Sequence, residues 1–155
     1  RGNVRGQYPS FENSPAYIDR ALIKGYNVLI DVWLISNTIF LGEHAPHYPI
    51  HINFLLQRKA NLWCRAKNTE AMQMLIAYGM HCLWYETEAR TCVFTSDGYL
   101  FVSSINFPTS PRNVYLVRHL PTIQNLQRTT QTHNSIAGIC TDYVDLLRQA
   151  SMDLD

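Results

Sequence analysis

Val28-Leu29-Ile30-Asp31-Val32-Trp33-Leu34-Ile35-Ser36-Asn37-Thr38-Ile39-Phe40-Leu41 is the stretch on which the fold turns. Val28 to Ile35 is rich in β-branched and large apolar residues and reads as a strand. Ser36-Asn37 then turns the chain into a second, short strand at Ile39-Phe40-Leu41. Upstream, Glu12 to Gly25 reads as a helix entered through Asn13-Ser14-Pro15, with Ser14 as N-cap and Pro15 in the first turn, which tolerates a missing N–H. Tyr17, Ile18, Ala21 and Leu22 give that helix one apolar face, and Gly25 stops it.

Downstream, strands are expected at Asn61 to Arg65, His81 to Tyr85, Cys92 to Thr95, Tyr99 to Val102, Val114 to Val117 and Ile136 to Cys140. Thr69 to Tyr78 has the Ala71, Met72, Leu75, Ile76 spacing of an amphipathic helix ending at Gly79, and Tyr143 to Ala150 reads as a closing helix. Strands separated by helices favour a parallel α/β arrangement, whereas Ser96-Asp97-Gly98 is too short for a crossover and reads as a turn. With a first strand truncated at Arg1, the segments approach the strand number of a β/α barrel. Such barrels usually take about 250 residues, so one built here would lack several outer helices. An open α/β sheet is the rival that composition does not reject.

The chain has 155 residues, 46% of them hydrophobic, with three Trp, nine Tyr and six Phe, which predicts one compact domain over residues 1–155 and argues against disorder. A formal net charge of +1 offers no long-range attraction for nucleic acid or an anionic membrane, so such binding would need a local patch. Arg1, Arg5, Arg112, Arg118 and Arg128 are scattered and read as solvated surface. Cys64, Cys82, Cys92 and Cys140 are widely spaced without a C-x-x-C pair, which argues against a zinc knuckle and favours buried thiols over two disulfides. An intracellular, reducing compartment is expected, either the cytosol or an organelle after removal of a targeting peptide. No apolar stretch is long enough to span a bilayer, and no signal peptide is recognised.

Arg1-Gly2-Asn3, Glu12-Asn13-Ser14-Pro15, Ile30-Asp31-Val32-Trp33, Leu41-Gly42-Glu43-His44 and Lys67-Asn68 fall in an order that resembles short glycerophosphodiester phosphodiesterase-like proteins of the phospholipase-C-like phosphodiesterase group. The resemblance continues through Leu62 to Asn68, Leu83-Trp84-Tyr85-Glu86, Thr95 to Tyr99 and Gly138 to Tyr143. It implies a reduced TIM-type β/α barrel with few or short outer helices. In the active family, two histidines act as general acid and base while carboxylates hold Ca²⁺ or Mg²⁺, all at the carboxyl ends of the strands.

The resemblance carries the frame and drops most of the chemistry. Asp31 matches a metal-ligand position, but Leu29 stands where the family has a second carboxylate, on the same side of the strand. Glu43-His44 replaces His-Asp, Arg65 and Tyr85 replace further histidines, and the first catalytic His would lie before Arg1. The residues of the vestigial site are Asp31, Glu43, His44, Arg65, Lys67, Glu86 and Asp142, with Asp31 alone as a weak metal ligand. Arg65 and Lys67 are candidate anion binders, although an ion pair with Asp31 or Glu86 is the simpler role. Asp142 is as well suited to capping the last helix as to a site.

His44, His47 and His51 cluster in sequence, but Pro46 and Pro49 break any helix that would align them, and a solvated loop is the expectation. His81, His119 and His133 are isolated. Phe101, Val102, Ile105 and Phe107, if exposed, would offer a patch for a protein partner, together with the Val114 to Val117 strand; covering the barrel bottom is an equal alternative for residues 101–107.

The function expected is therefore a catalytically inactive phosphodiesterase-like domain, with no cofactor, serving as an interaction subunit of a larger assembly with other protein subunits. The alternative is a divergent enzyme using Ca²⁺ or Mg²⁺ on a glycerophosphodiester or phospholipid, with His44, Asp31, Glu43 and Glu86 in altered roles. A third possibility is a module that holds anionic ligands through Arg65 and Lys67 without turnover.

Overall fold

The computed structural model describes residues 1–85, 92–104, 108–118 and 136–152. In chain order these form α1 (Pro15–Ile23), β1 (Val28–Ile35), β2 (Thr38–Leu41), β3 (Tyr48–Ile50), α2 (Ile52–Gln57), β4 (Leu62–Ala66), α3 (Thr69–Ala77), β5 (Cys82–Leu83), β6 (Cys92–Phe94), β7 (Leu100–Val102), β8 (Asn113–Val117), β9 (Gly138–Thr141) and α4 (Val144–Met152). The strands lie in two sheets, β3-β2-β1-β4-β5 and β6-β7-β8-β9. The chain divides into two compact units. One comprises Arg1–Gly2, Tyr8–Glu86 and Thr95–Asp97, and the other Asn3–Gln7, Thr87–Phe94 and Gly98–Asp155.

The barrel expected from the sequence is not formed: the described residues make a mixed α/β structure with two small mixed sheets and no closed barrel. The reason lies first in the stretch Val28 to Leu41. Ser36 and Asn37 take φ of 48° and 62°, the left-handed pair that closes a two-residue hairpin, and Ile35 pairs with Thr38 directly across it. β2 therefore returns antiparallel to β1, and β3 turns back on β2. A β/α barrel needs parallel strands joined by helical crossovers, and a hairpin cannot supply them. β6 and β7 are likewise antiparallel.

In the first unit β1, β4 and β5 are parallel, with Asp31 opposite Arg65 and Cys64 opposite Cys82. Ile30, Val32, Leu62, Cys64, Ala66, Cys82 and Leu83 are buried, with Ile18, Ala21, Leu55, Ala71 and Leu75 contributed by the helices. Runs of buried residues on both faces of β1 and β4 are what a central parallel strand requires. Asn68 locks α3 to this sheet. Its Oδ1 caps the helix by accepting from Ala71 N at 3.1 Å, and it also exchanges bonds with the Leu34 main chain at 3.2 and 2.8 Å.

In the second unit Val102, Tyr115 and Val117 form a core with Leu100, Ile136, Ile139, Tyr143 and Leu147. Phe101 and Val114 are also buried, so these residues do not form the exposed patch considered from sequence. β8 lies between β7 and β9, which covers both of its edges. Ile105 and Phe107 lie outside the described residues, as do His119, Arg128 and His133.

Candidate functional site

Asp31 sits in the middle of β1 and is 1% exposed. A carboxylate so buried is costly unless it is paired and hydrogen-bonded, and here both oxygens are engaged. Oδ1 accepts from Arg65 Nε on the neighbouring β4, at the position that the parallel register places directly opposite. Oδ2 accepts from Arg1 Nε at 3.2 Å and from Asn13 Nδ2 at 2.9 Å. Asn13 closes the clamp through its own Oδ1, which accepts from Asp31 N at 2.9 Å. Its φ of 63° is a left-handed conformation that Asn tolerates better than most residues, and Asn13 N donates to Arg1 O at 3.0 Å.

The network extends through Glu43. The chain reaches it through Gly42, where an added Cβ would lie 2.0 Å from Ala45 O, so no other residue fits this turn. Trp33 Nε1 fixes the same turn by donating to Gly42 O at 2.7 Å. Glu43 Oε1 pairs with Arg1 Nη2 and lies 3.8 Å from Arg65 Nη2. Arg1 Nη1 reaches Glu12 at 3.7 Å. One guanidinium thus faces three carboxylates, while a second shares two of them and lies 4.8 Å over the Tyr85 ring. Lys67 Nζ sits 5.8 Å over the Trp33 ring.

These contacts set the protonation states. Burial alone would raise the Asp31 pKa, but Arg65, then Arg1 and the Asn13 hydrogen bond, outweigh it and hold the carboxyl below its ordinary value. For Arg65 burial works against the cation, and Asp31 and Tyr85 more than offset it. Lys67 is pushed below its ordinary value by burial and then by Arg65, with Asp31 and Glu43 opposing.

The sequence candidates are thus distributed unevenly. Asp31, Glu43, Arg65 and Lys67 come together, whereas His44 is 91% exposed on its side chain, with Nε2 3.6 Å from Glu43 Oε2. Leu29 offers no donor, and Glu86 lies outside the described residues. Asp142 belongs to the second unit, where its carboxylate accepts from Asn3 Nδ2 at 2.8 Å and Gln7 Nε2 at 2.9 Å and its carbonyl from Gly6 N at 2.8 Å. It pins the segment Asn3–Gln7 to the β9–α4 junction. The three sequence-clustered histidines serve separate ends: His47 stacks on Tyr48 at 4.2 Å, and His51 Nδ1 caps α2 by accepting from Asn53 N at 3.3 Å.

Ca²⁺ or Mg²⁺ would need oxygen ligands facing an accessible point. Both Asp31 oxygens are instead taken by guanidinium and amide donors, and among the described residues no group of three or more His, Cys, Asp or Glu is arranged to hold a metal. The centre does not fit the ion that the resemblance implies. Sequence reasoning passed over Arg1, Glu12 and Asn13 as site residues, although all three lie in quoted motifs. Their role depends on contacts across the fold that spacing does not reveal. No protein-family model, curated protein or solved structure matches the chain. No helix among the described residues is long and apolar enough to cross a membrane.

Proposed function

We propose that this chain is a phosphodiesterase-like protein without hydrolytic activity, whose former catalytic region has become a structural ion-pair centre and whose function is exercised through binding other proteins. The observation that carries this reading is the occupation of Asp31 by two guanidinium groups, Arg1 and Arg65. A carboxylate neutralised by internal cations is poorly placed to hold a divalent metal. Without the metal, phosphodiester charge lacks the clamp that such chemistry uses. Leu29 and the exposed His44 support the same conclusion, because general acid, general base and metal work as a unit.

The purified chain is expected to leave glycerophosphocholine and a chromogenic phosphodiester intact with added Ca²⁺, Mg²⁺ or Mn²⁺. Calorimetry should show no divalent site tighter than roughly millimolar. Turnover abolished by Asp31→Asn, or a micromolar site that needs Asp31, would replace this reading with the divergent-enzyme alternative built on Asp31, Glu43 and His44.

A further inference from the structure

The parallel strands β1, β4 and β5 begin at one end of the first unit, so the helices that precede them, α1, α2 and α3, all finish there. Side chains tie these helix ends together. Arg58 grips Asp19 of α1 through Nε at 2.6 Å and Nη2 at 2.9 Å, and Lys59 Nζ donates to Tyr78 O beyond α3 at 3.1 Å. Asn61 Nδ2 donates to Asn27 Oδ1 at 2.9 Å between the loops that enter β4 and β1.

At this end apolar side chains face outward. Ile23 is 86% exposed, Ile76 57% and Tyr78 47%. Single exposed apolar residues are ordinary; three at tied helix ends, alongside the exposed cations Arg20, Lys24 and Lys59, give this end both apolar and basic side chains in water. Among the described residues, the carboxylates at this end are Asp19, held by Arg58, and Asp97, 3.5 Å from His81. The four cations Arg20, Lys24, Arg58 and Lys59 therefore outnumber these two acids. Helix carboxyl ends attract cations in any case, but that preference does not account for the outward isoleucines.

We infer that this end of the first unit is a peripheral docking surface for a bilayer containing anionic lipids, with Ile23, Ile76 and Tyr78 entering the headgroup boundary while Arg20, Lys24 and Lys59 lie among the acidic headgroups. A lipid interface accepts long basic side chains, aromatic rings and aliphatic anchors together, and basic groups near it add attraction from the surface potential. The net charge of the whole chain is only +1, so the attraction comes from this local grouping.

Sedimentation of the chain with vesicles of phosphatidylcholine, with and without phosphatidylserine, tests the inference. Binding is expected to the mixed vesicles, to fall with added salt and to be weaker on neutral vesicles. Each lysine neutralised should weaken it about fivefold, so Lys24→Gln with Lys59→Gln should lose roughly 25-fold. Ile23→Ser with Ile76→Ser should also lose binding while circular dichroism stays unchanged, because both side chains are more than half exposed. Absence of binding to the mixed vesicles at low salt, or binding that neither double variant alters, overturns the inference. Concentration-dependent self-association abolished by the isoleucine variant would assign the surface to a second copy and overturn it too. All four positions lie outside the Asp31 centre, so these outcomes are independent of the hydrolysis assays.

Discussion

Asp31, Arg65, Arg1 and Asn13 form a centre in which each removal leaves a different debt. Arg65→Met takes the cation from a buried carboxylate and should destabilise by about 3–5 kcal/mol, the range for breaking one side of a buried pair, read by urea denaturation. Asn13→Ala strips one donor and one acceptor from Asp31 and places Ala at a left-handed φ, with an expected loss of about 2–4 kcal/mol in the same assay. The pH dependence has a definite sign. The folded pKa of Asp31 lies below its unfolded value of about 3.9, so its stabilising contribution is complete above that pH and disappears as pH falls through the folded value. Asp31→Asn should therefore flatten the acid limb of a stability-against-pH curve. Part of this centre was legible: an ion pair of Arg65 with Asp31 or Glu86 was the simpler role read from the sequence, and the pairing with Asp31 forms. Asn13 was not, because nothing local distinguishes an Asn that clamps a distant strand from one that opens a helix.

At the scale of elements, short polar signals decide topology more than long apolar ones. The Ser36-Asn37 turn makes β2 antiparallel, and Asn37→Val, which puts a β-branched residue at φ 62°, should cost at least about 1–2 kcal/mol by thermal denaturation, whereas Asn37→Gly should be tolerated. Asn68→Ala should cost about 0.5–2 kcal/mol for the lost cap alone, and more because Leu34 loses both of its side-chain partners. The hairpin, α3 and its Gly79 stop could be read directly from the chain. β3 and α2 could not. β3 holds Pro49 on an edge strand, and α2 covers only Ile52–Gln57, too short for its periodicity to stand out.

For the molecule as a whole, counting strands was an inadequate guide. The number of segments approached that of a barrel, but closure depends on strand direction and pairing, and the antiparallel pairs β1–β2, β2–β3 and β6–β7 defeat it. The mixed α/β character was legible from alternating apolar runs and helix signals; the division into two sheets was not, because pairing partners lie far apart in sequence. Phe101 shows the same limit: its apolar neighbourhood was as compatible with an exposed patch as with a covered one, and it is buried in β7. Burial also sorts the cysteines. Cys92 is exposed and Cys140 intermediate, whereas Cys64 and Cys82 are buried, with burial pushing both thiols up. A maleimide time course followed by mass mapping should label Cys92 first, Cys140 later, and Cys64 and Cys82 only on unfolding.

Because Arg1 and Arg65 share both Asp31 and Glu43, their contributions cannot be separable, and a double-mutant cycle between them should show a coupling of about 0.5–3 kcal/mol. That interdependence constrains which substitutions the centre tolerates. A carboxylate introduced at Leu29 would add charge to a buried centre already balanced by arginines, and loss of either arginine would leave Asp31 under-compensated. Either single step unbalances the buried charges, so the positions of this centre can change without loss of stability only in concert.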